Sequence, residues 1–392
     1  YSTSIDRFYW TTYAVLRDRQ DLSQHLLEMK SPEHFKGLTH HPTLGAPLKV
    51  VVILGESARA DLMSAYGYER PTTPWLDSIS KNGNEVVLFN DVCSSGPNTI
   101  MSSQRIFTFW NNTPNKAWYN YPDLTNVLAH AGYYTQWITQ QNPQNMYAIE
   151  RLFANSAHKL YKTHRYTSLY KIKDSSLSAM AYDEALLPAL HRYDSPNTTH
   201  VHRKYIFTVV HLMGSHQNYS ERYPPAFDFF KAKDMKECLT EDTKRQKAAY
   251  LNSLRYTDHL LEKMIKHYSS QRALVFYFSD HGEMVDEPQQ PGYFGHGTNV
   301  DHPTVDIPFF VYASPQLRKE HPELWERIKK AQFRPISTAW FTNSLTSLLG
   351  IRTKYNDERY NFFSDKFANP TRTAVQGDER HTVPPLKRKR VR

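Results

Sequence analysis

Apolar residues in this chain gather into short unbroken runs that end on polar, chemically capable side chains. Lys49 is followed by Val50-Val51-Val52-Ile53-Leu54, then by Gly55 and Glu56. Tyr205-Ile206-Phe207-Thr208-Val209-Val210 runs into His211 and, past Gly214, His216. Leu274-Val275-Phe276-Tyr277-Phe278 stops at Ser279, Asp280 and His281. Runs of this length, rich in β-branched and aromatic residues, predict strands buried on both faces, as in parallel sheets covered by helices. Open sheets of that kind bind ligands outside the carboxyl ends of their strands, so these exits converge on one crevice. Between the second and third runs, Lys244 to Tyr268 places Leu251, Leu254, Leu261, Ile265 and Tyr268 on one helical face. A helix that leads at once into a strand supplies the alternation of a parallel sheet. The prediction is an α/β fold, a doubly wound and mostly parallel sheet with helices on both faces, in a single domain.

The flanks read differently. Tyr1 to about Lys36 mixes Tyr9, Trp10, Tyr13 and Leu16 with arginines, which fits an amphipathic juxtamembrane helix or a helix packed on the domain. Leu38 to Pro47 is a Pro/His-rich connector, so residues 1–47 form a leading segment. Residues 48–355 are expected to form the main α/β domain, and 356–392 a carboxyl-terminal extension ending in the basic run Lys387–Arg392. Ser215 to Thr240, with Tyr219, Tyr223, Phe227, Phe229 and Phe230, reads as a long loop beside the site. Its aromatics either anchor the loop or line an entrance.

Chemistry enters with the residues at the strand exits. Asp280 and His281 offer oxygen and nitrogen donors suited to a zinc-like cation. A carboxylate placed directly after a buried strand, as Glu56 is, costs free energy unless something positive meets it. Taken singly, each has an ordinary reading: Glu56 as a helix cap, His211 as a core histidine, Asp280-His281 as a turn. A nucleophile is sought in Cys93-Ser94-Ser95-Gly96-Pro97-Asn98-Thr99. Gly96 and Pro97 break the chain there, and Pro97 presets a helix start. Asn98 or Thr99 then stands at or near the helix amino terminus, where free N–H groups favour anions. A hydroxyl in that place, touching a divalent cation, can lose its proton near neutral pH and attack phosphorus. The plain alternative is that Thr99 is a cap.

Six blocks, in order, carry a resemblance. Gly55-Glu56-Ser57-Ala58-Arg59-Ala60-Asp61, then Gly67-Tyr68-Glu69-Arg70-Pro71-Thr72-Thr73-Pro74, then Ser95-Gly96-Pro97-Asn98-Thr99 are the first three. His211-Leu212-Met213-Gly214-Ser215-His216, Ser279-Asp280-His281-Gly282-Glu283 and Gly295-His296-Gly297 complete the set. From roughly Lys49 to Leu349 the chain resembles the bacterial phosphoethanolamine transferases of the alkaline phosphatase/sulfatase superfamily. The resemblance implies a zinc held by Glu56, Thr99, Asp280 and His281, with a second zinc possible. It makes Thr99 the nucleophile and transient phosphoethanolamine carrier. His216 and His296 match histidines that face the substrate phosphate or a second zinc, and His211 matches the earlier histidine of its block. Glu283 matches an acidic residue near the metal. Gln140 or Gln141, after the Tyr134–Ile138 strand, fills the place of a substrate contact, and Gln141 is the candidate retained. The implied donor is phosphatidylethanolamine and the implied acceptor is lipopolysaccharide. The implied location is the periplasm, with an amino-terminal membrane region of a bacterial inner-membrane protein expected ahead of Tyr1.

The chain also departs from that pattern. Relatives that modify lipid A carry several disulfide-bonded cysteines, and two equivalent positions here look like Ser95 and Arg105. Only Cys93 and Cys238 are present, and they either pair or stay free. The departure points toward a core-sugar or protein acceptor rather than lipid A. A metal-dependent phosphodiesterase or phosphatase of the same superfamily is the nearest rival. A silent saccharide- or lipid-binding domain is the rival from another class, but Glu56, Thr99, Asp280 and His281 are all retained. Sulfatases that mature a Cys or Ser to formylglycine need x-Pro-x-Arg after it, which neither Cys93 nor Thr99 has. No apolar run approaches the roughly 18 residues of a membrane span. The net charge of +9 favours anionic surfaces, and five of those charges lie in Lys387–Arg392. No nucleic-acid motif accompanies them, so nucleic acid is not an expected partner.

Overall fold

The computed structural model describes residues 24–81, 85–111, 116–141, 150–163, 182–195, 203–297, 299–376 and 379–385. Seven strands form the main sheet: β1 (Leu48–Gly55), β2 (Val86–Leu88), β3 (Tyr134–Thr139), β4 (Lys159–Lys162), β5 (Tyr205–His211), β6 (Ala273–Ser279) and β7 (Phe309–Ala313). Their order is β2-β7-β6-β1-β5-β3-β4. β1 pairs parallel with both β5 and β6, and β3 pairs parallel with β5 and β4. β7 alone is reversed, antiparallel to β6 and β2.

All eight positions of β1 are buried, because the sheet is covered on both sides. Alternation of side chains along a strand sends Val50, Val52 and Leu54 into one core and Val51 and Ile53 into the other. The first core is closed by α1 (Thr99–Ile106), α2 (Leu124–His130) and the helix Phe341–Leu348, through Ile106, Leu124, Val127 and Phe341. The second is closed chiefly by α3 (Glu241–Ser269), whose Leu251, Leu254, Leu261, Ile265 and Tyr268 are buried. Burying each such side chain stabilises the fold by about 1.5–3 kcal/mol. The one charge in β1, Lys49, is tolerated because its Nζ lies 2.7 Å from Asp194 Oδ1 and donates to the Asp194 carbonyl at 2.6 Å.

Register aligns the strand exits. Leu54 stands opposite His211 on β5, and Gly55 opposite Ser279 on β6. The chain therefore leaves β1, β5 and β6 side by side, at a point where successive strands depart to opposite sides of β1.

In the loop 215–240, Tyr219, Tyr223 and Phe230 are buried anchors, while Phe229 is exposed. Within residues 356–385, Phe362 and Phe363 enter the first core, their rings 6.2 and 6.3 Å from Phe309 and Phe276 respectively. Val375 N–H donates to the Ser95 carbonyl at 3.2 Å, which ties that stretch to the segment leading into α1. Cys93 and Cys238 are both buried and unpaired with each other. Residues 24–29 are helical; the rest of the predicted amphipathic segment and the basic run Lys387–Arg392 lie outside the described residues. Among the described residues, no helix is long and apolar enough to cross a membrane.

Candidate metal centre and nucleophile

Four side chains from two strand exits and one helix start meet above β1. Glu56 follows β1 and is 1 % exposed; Asp280 and His281 follow β6 and are fully buried. One donor atom each from Glu56, Asp280 and His281 lies within 4.8 Å of the others. Thr99 is the first residue of α1, whose amino-terminal cap is Asn98: its side chain accepts the Met101 N–H at 3.0 Å. The cap role thus falls to Asn98, which frees the Thr99 hydroxyl. That Oγ1 donates to Glu56 Oε2 at 3.2 Å and stands 3.2 Å from His281 Nε2.

The surroundings orient each group. His281 Nδ1 donates to the Gly282 carbonyl at 2.7 Å. A carbonyl only accepts, so Nδ1 carries a proton and Nε2 is the ring nitrogen that faces the site. Glu56 Oε1 lies 3.0 Å from that Nε2 and accepts the Ser57 hydroxyl at 2.8 Å. Gln141 Nε2 bridges Glu56 Oε2 and the Leu212 carbonyl, at 3.0 Å each. Ser57 holds a left-handed φ of 57°, a conformation costly for a residue with a Cβ. There its N–H points at Asp280 Oδ1, 3.4 Å away.

Electrostatics call for a cation. Burial by itself would raise the Glu56 pKa, yet the His281 imidazole outweighs it and holds the carboxyl well below the usual range. Asp280 is pushed well above that range by burial, with the Glu56 charge adding to the effect. Burial would lower His281, but Asp280 and Glu56 together raise it to about 10. Two buried carboxylates so close cannot both ionise without positive charge between them. The buried Asp280 Oδ2 has no hydrogen-bond partner among the described residues, as expected of an oxygen reserved for an ion. Two carboxylates, an imidazole nitrogen and a hydroxyl are a donor set that fits tetrahedral zinc.

A second layer adjoins the first. Glu283 is fully buried; its Oε1 accepts the Tyr219 hydroxyl at 2.6 Å and its Oε2 the His296 Nδ1–H at 2.6 Å. The His296 ring centroid lies 4.2 Å from that of His281 and 6.1 Å from that of half-buried His216. His281, Glu283 and His296 also offer donor atoms within 4.8 Å of one another. His211 is set apart: buried edge-on to Trp137 at 6.0 Å, it has no partner for Nε2 among the described residues, and burial lowers its pKa to about 4. Of the two glutamines, Gln141 reaches the site, while Gln140 is buried and hydrogen-bonds Thr163.

Several supports were not legible in the sequence. Asp183 accepts the N–H groups of Met213 and Gly214 at 2.8 Å each, pinning the turn that carries His216. Gly214 has φ +52°, and a Cβ there would lie 2.7 Å from the Glu56 carbonyl oxygen, so only glycine lets the β5 exit cross the β1 exit. Arg59, nearly buried, binds Asp61 through two nitrogens at 2.9 and 2.7 Å and the Glu283 carbonyl at 3.2 Å. An acidic residue two positions after Arg59 was the one visible hint.

Comparison with known proteins gives the family. Residues 49–351 match the model of the sulfatase family. Phosphoethanolamine transferase EptC of Escherichia coli (strain K12) is 30 % identical over 337 residues, 83 % of this chain and 55 % of the relative. Phosphoethanolamine transferase CptA of Salmonella typhimurium is 31 % identical over 285 residues, 71 % of this chain and 47 % of the relative. The chain thus spans about half the length of the curated relatives it matches. The crystal structure of the carboxyl-terminal periplasmic domain of the E. coli EptC, in complex with zinc, superposes with a TM-score of 0.72 at 27 % identity, covering 86 % of this chain and 92 % of that one. The family match takes in β1, β5 and β6 together with all four side chains of the candidate centre: the chain belongs to the sulfatase family.

Proposed function

We propose that this chain is the catalytic domain of a zinc-dependent phosphoethanolamine transferase, residues 48–355 forming its active body. The donor is phosphatidylethanolamine, the acceptor a saccharide of lipopolysaccharide, and Thr99 the transient carrier. The observation that carries the reading is the Thr99 hydroxyl at the first position of a helix, 3.2 Å from both Glu56 Oε2 and His281 Nε2. The reading is supported by the curated relatives, which are named phosphoethanolamine transferases, and by the zinc complex of a similar domain.

Glu56, Asp280, His281 and Thr99 would hold the ion, with His281, Glu283 and His296 a possible second position. When bound, zinc supplies Lewis acidity, lowering the pKa of a ligating hydroxyl and polarising a phosphoryl oxygen. Glu56 accepts the hydrogen bond of the Thr99 hydroxyl and so points its oxygen at the site. Thr99 Oγ1, its proton released to solvent, forms a bond to phosphorus as the bond to the diacylglycerol oxygen breaks, and that oxygen leaves with the electron pair. In this reading His216 and His296 bind the phosphoryl oxygens or give the leaving oxygen its proton. The acceptor hydroxyl then passes its proton to the histidine that protonated the leaving oxygen, its oxygen bonds to phosphorus, and the bond to Thr99 breaks and returns the electron pair to Oγ1. Gln141 and Ser57 keep the Glu56 carboxylate in place through both steps.

Location follows the relatives: a periplasmic domain of a bacterial inner-membrane protein, one relative of known structure being an integral membrane protein. Intact-mass analysis after incubation with phosphatidylethanolamine in detergent tests the proposal. A phosphoethanolamine adduct on Thr99 is expected, absent in Thr99→Ala; free phosphoethanolamine released with no adduct at any time would favour a hydrolase instead.

A further inference from the structure

Beside the catalytic histidines lies a groove that the proposed chemistry leaves unused. A cavity of about 520 Å³ is lined by Gln217, Asn218, Tyr219, Ser220, Phe294 and the face Asp242, Arg245, Gln246, Ala249 of α3. Those four helical residues fall at i, i+3, i+4 and i+7, a single stripe. A second cavity of about 450 Å³, reaching Tyr223, Asp228 and Lys231, meets the first at Ser220, Arg245 and Ala249. Both volumes lie within the ~300–1,000 Å³ of small-molecule sites.

The groove shares its inner wall with the centre. Gln217 directly follows His216, Phe294 precedes His296 by two residues, and the Tyr219 hydroxyl donates to Glu283 at 2.6 Å. Asn218 adopts a left-handed φ of 63°, turning the chain sharply between Gln217 and Tyr219.

The lining selects a class of occupant. Each cation is matched by a carboxylate: Arg245 lies 3.8 Å from Asp242, and Lys231 lies 2.5 Å from Asp228. Gln246 Nε2 also donates to Asp242 Oδ2 at 2.7 Å. The result is a charge-balanced surface offering donors and acceptors side by side, with Tyr219, Tyr223 and Phe294 supplying apolar faces. Hydroxyls both donate and accept, so a sugar ring satisfies such a lining, whereas a phosphate would face carboxylates it repels.

Resting on the transferase reading above, we propose that this groove holds the saccharide portion of the acceptor through its hydroxyls, next to the oxygen that attacks phosphorus. Ser220, exposed where the cavities meet, and Arg245 decide whether a sugar can lie there.

The test uses the zinc-loaded chain, its Ser220→Trp variant, which fills the junction, and Arg245→Ala. Three quantities are measured: adduct formation on Thr99 from phosphatidylethanolamine, transfer to intact lipopolysaccharide, and calorimetric binding of core oligosaccharide stripped of phosphate. The expected result is transfer and oligosaccharide binding weakened by about tenfold or more in Ser220→Trp, with adduct formation unchanged within about twofold. Unchanged transfer in both variants would overturn the proposal. So would failure of the phosphate-free oligosaccharide to bind the parent chain while inorganic phosphate inhibits transfer. Absence of an adduct in the parent chain would instead defeat the transferase reading, and the binding arm would still judge the groove.

Discussion

Thr99, Glu56 and Gln141 make the candidate site a matter of single contacts. Thr99→Ala removes the proposed attacking oxygen while leaving Asn98 to cap α1. Headgroup turnover is expected to fall by at least about 10³-fold with the melting temperature little changed, read by product assay beside a thermal melt. Gln141→Ala deletes the amide that bridges Glu56 and the Leu212 carbonyl. Loss of a group that orients a metal ligand typically costs about 10–100-fold in metal affinity or activity, so zinc titration against a competing chelator should show that loss. Glu56, Asp280, His281 and Thr99 were legible because each closes an apolar run or a Gly-Pro break, where position predicts exposure to a crevice. Tyr219 and Asp183 were not. Their partners lie 64 residues away at Glu283 and about 30 away at Met213 and Gly214, and local pattern carries no trace of such pairings. His211 illustrates the converse: a strand exit brings a histidine to the right level, yet its ring turns into the core against Trp137.

Among the elements, buried carboxylates serve as caps where sequence suggests only loops. Asp258 on α3 accepts the Trp75 and Leu76 N–H groups at 2.8 and 3.1 Å, capping the helix Pro74–Ser80 from a distance. Asp123 caps α2, and Asp183 holds the turn after β5. Burial pushes their pKa values up, to about 7 for Asp258 and about 6 for the other two. These folded-state values lie above the ordinary 3.8 of an aspartate, so between about pH 4 and 7 the native chain binds more protons than the unfolded one. Their contribution to stability is complete below about pH 4 and is lost as pH rises through 6 to 7. In urea titrations, the advantage of the parent chain over Asp258→Asn should therefore narrow by roughly 2–4 kcal/mol between pH 4 and pH 8. An advantage that grew with pH would contradict this assignment. The central strands β1, β5 and β6 were readable from unbroken apolar runs; the reversal of β7 was not, because direction is set by connection and not by composition.

For the whole molecule, the centre sits above two cores that do not depend on it. About one tightly held zinc per chain is expected by elemental analysis. Its removal by chelation should abolish turnover and lower the melting temperature by the linkage worth about 3–4 kcal/mol at 100–1,000 times the dissociation constant. Far-ultraviolet circular dichroism at 25 °C should stay unchanged, since Phe276 and Phe309 belong to one apolar core and Tyr250 and Leu254 to the other, and neither core is built from the four side chains of the centre. The alignment of β1 with its neighbours has a further outcome. Leu212 N–H donates to the Leu54 carbonyl, and Asp280 N–H to that of Gly55, so rungs of the ladder itself space the reacting groups. Amide exchange at Leu212 and Asp280 should accordingly be among the slowest in the chain, and catalytic competence should vanish only when the central strands part, with no earlier loosening of the centre alone.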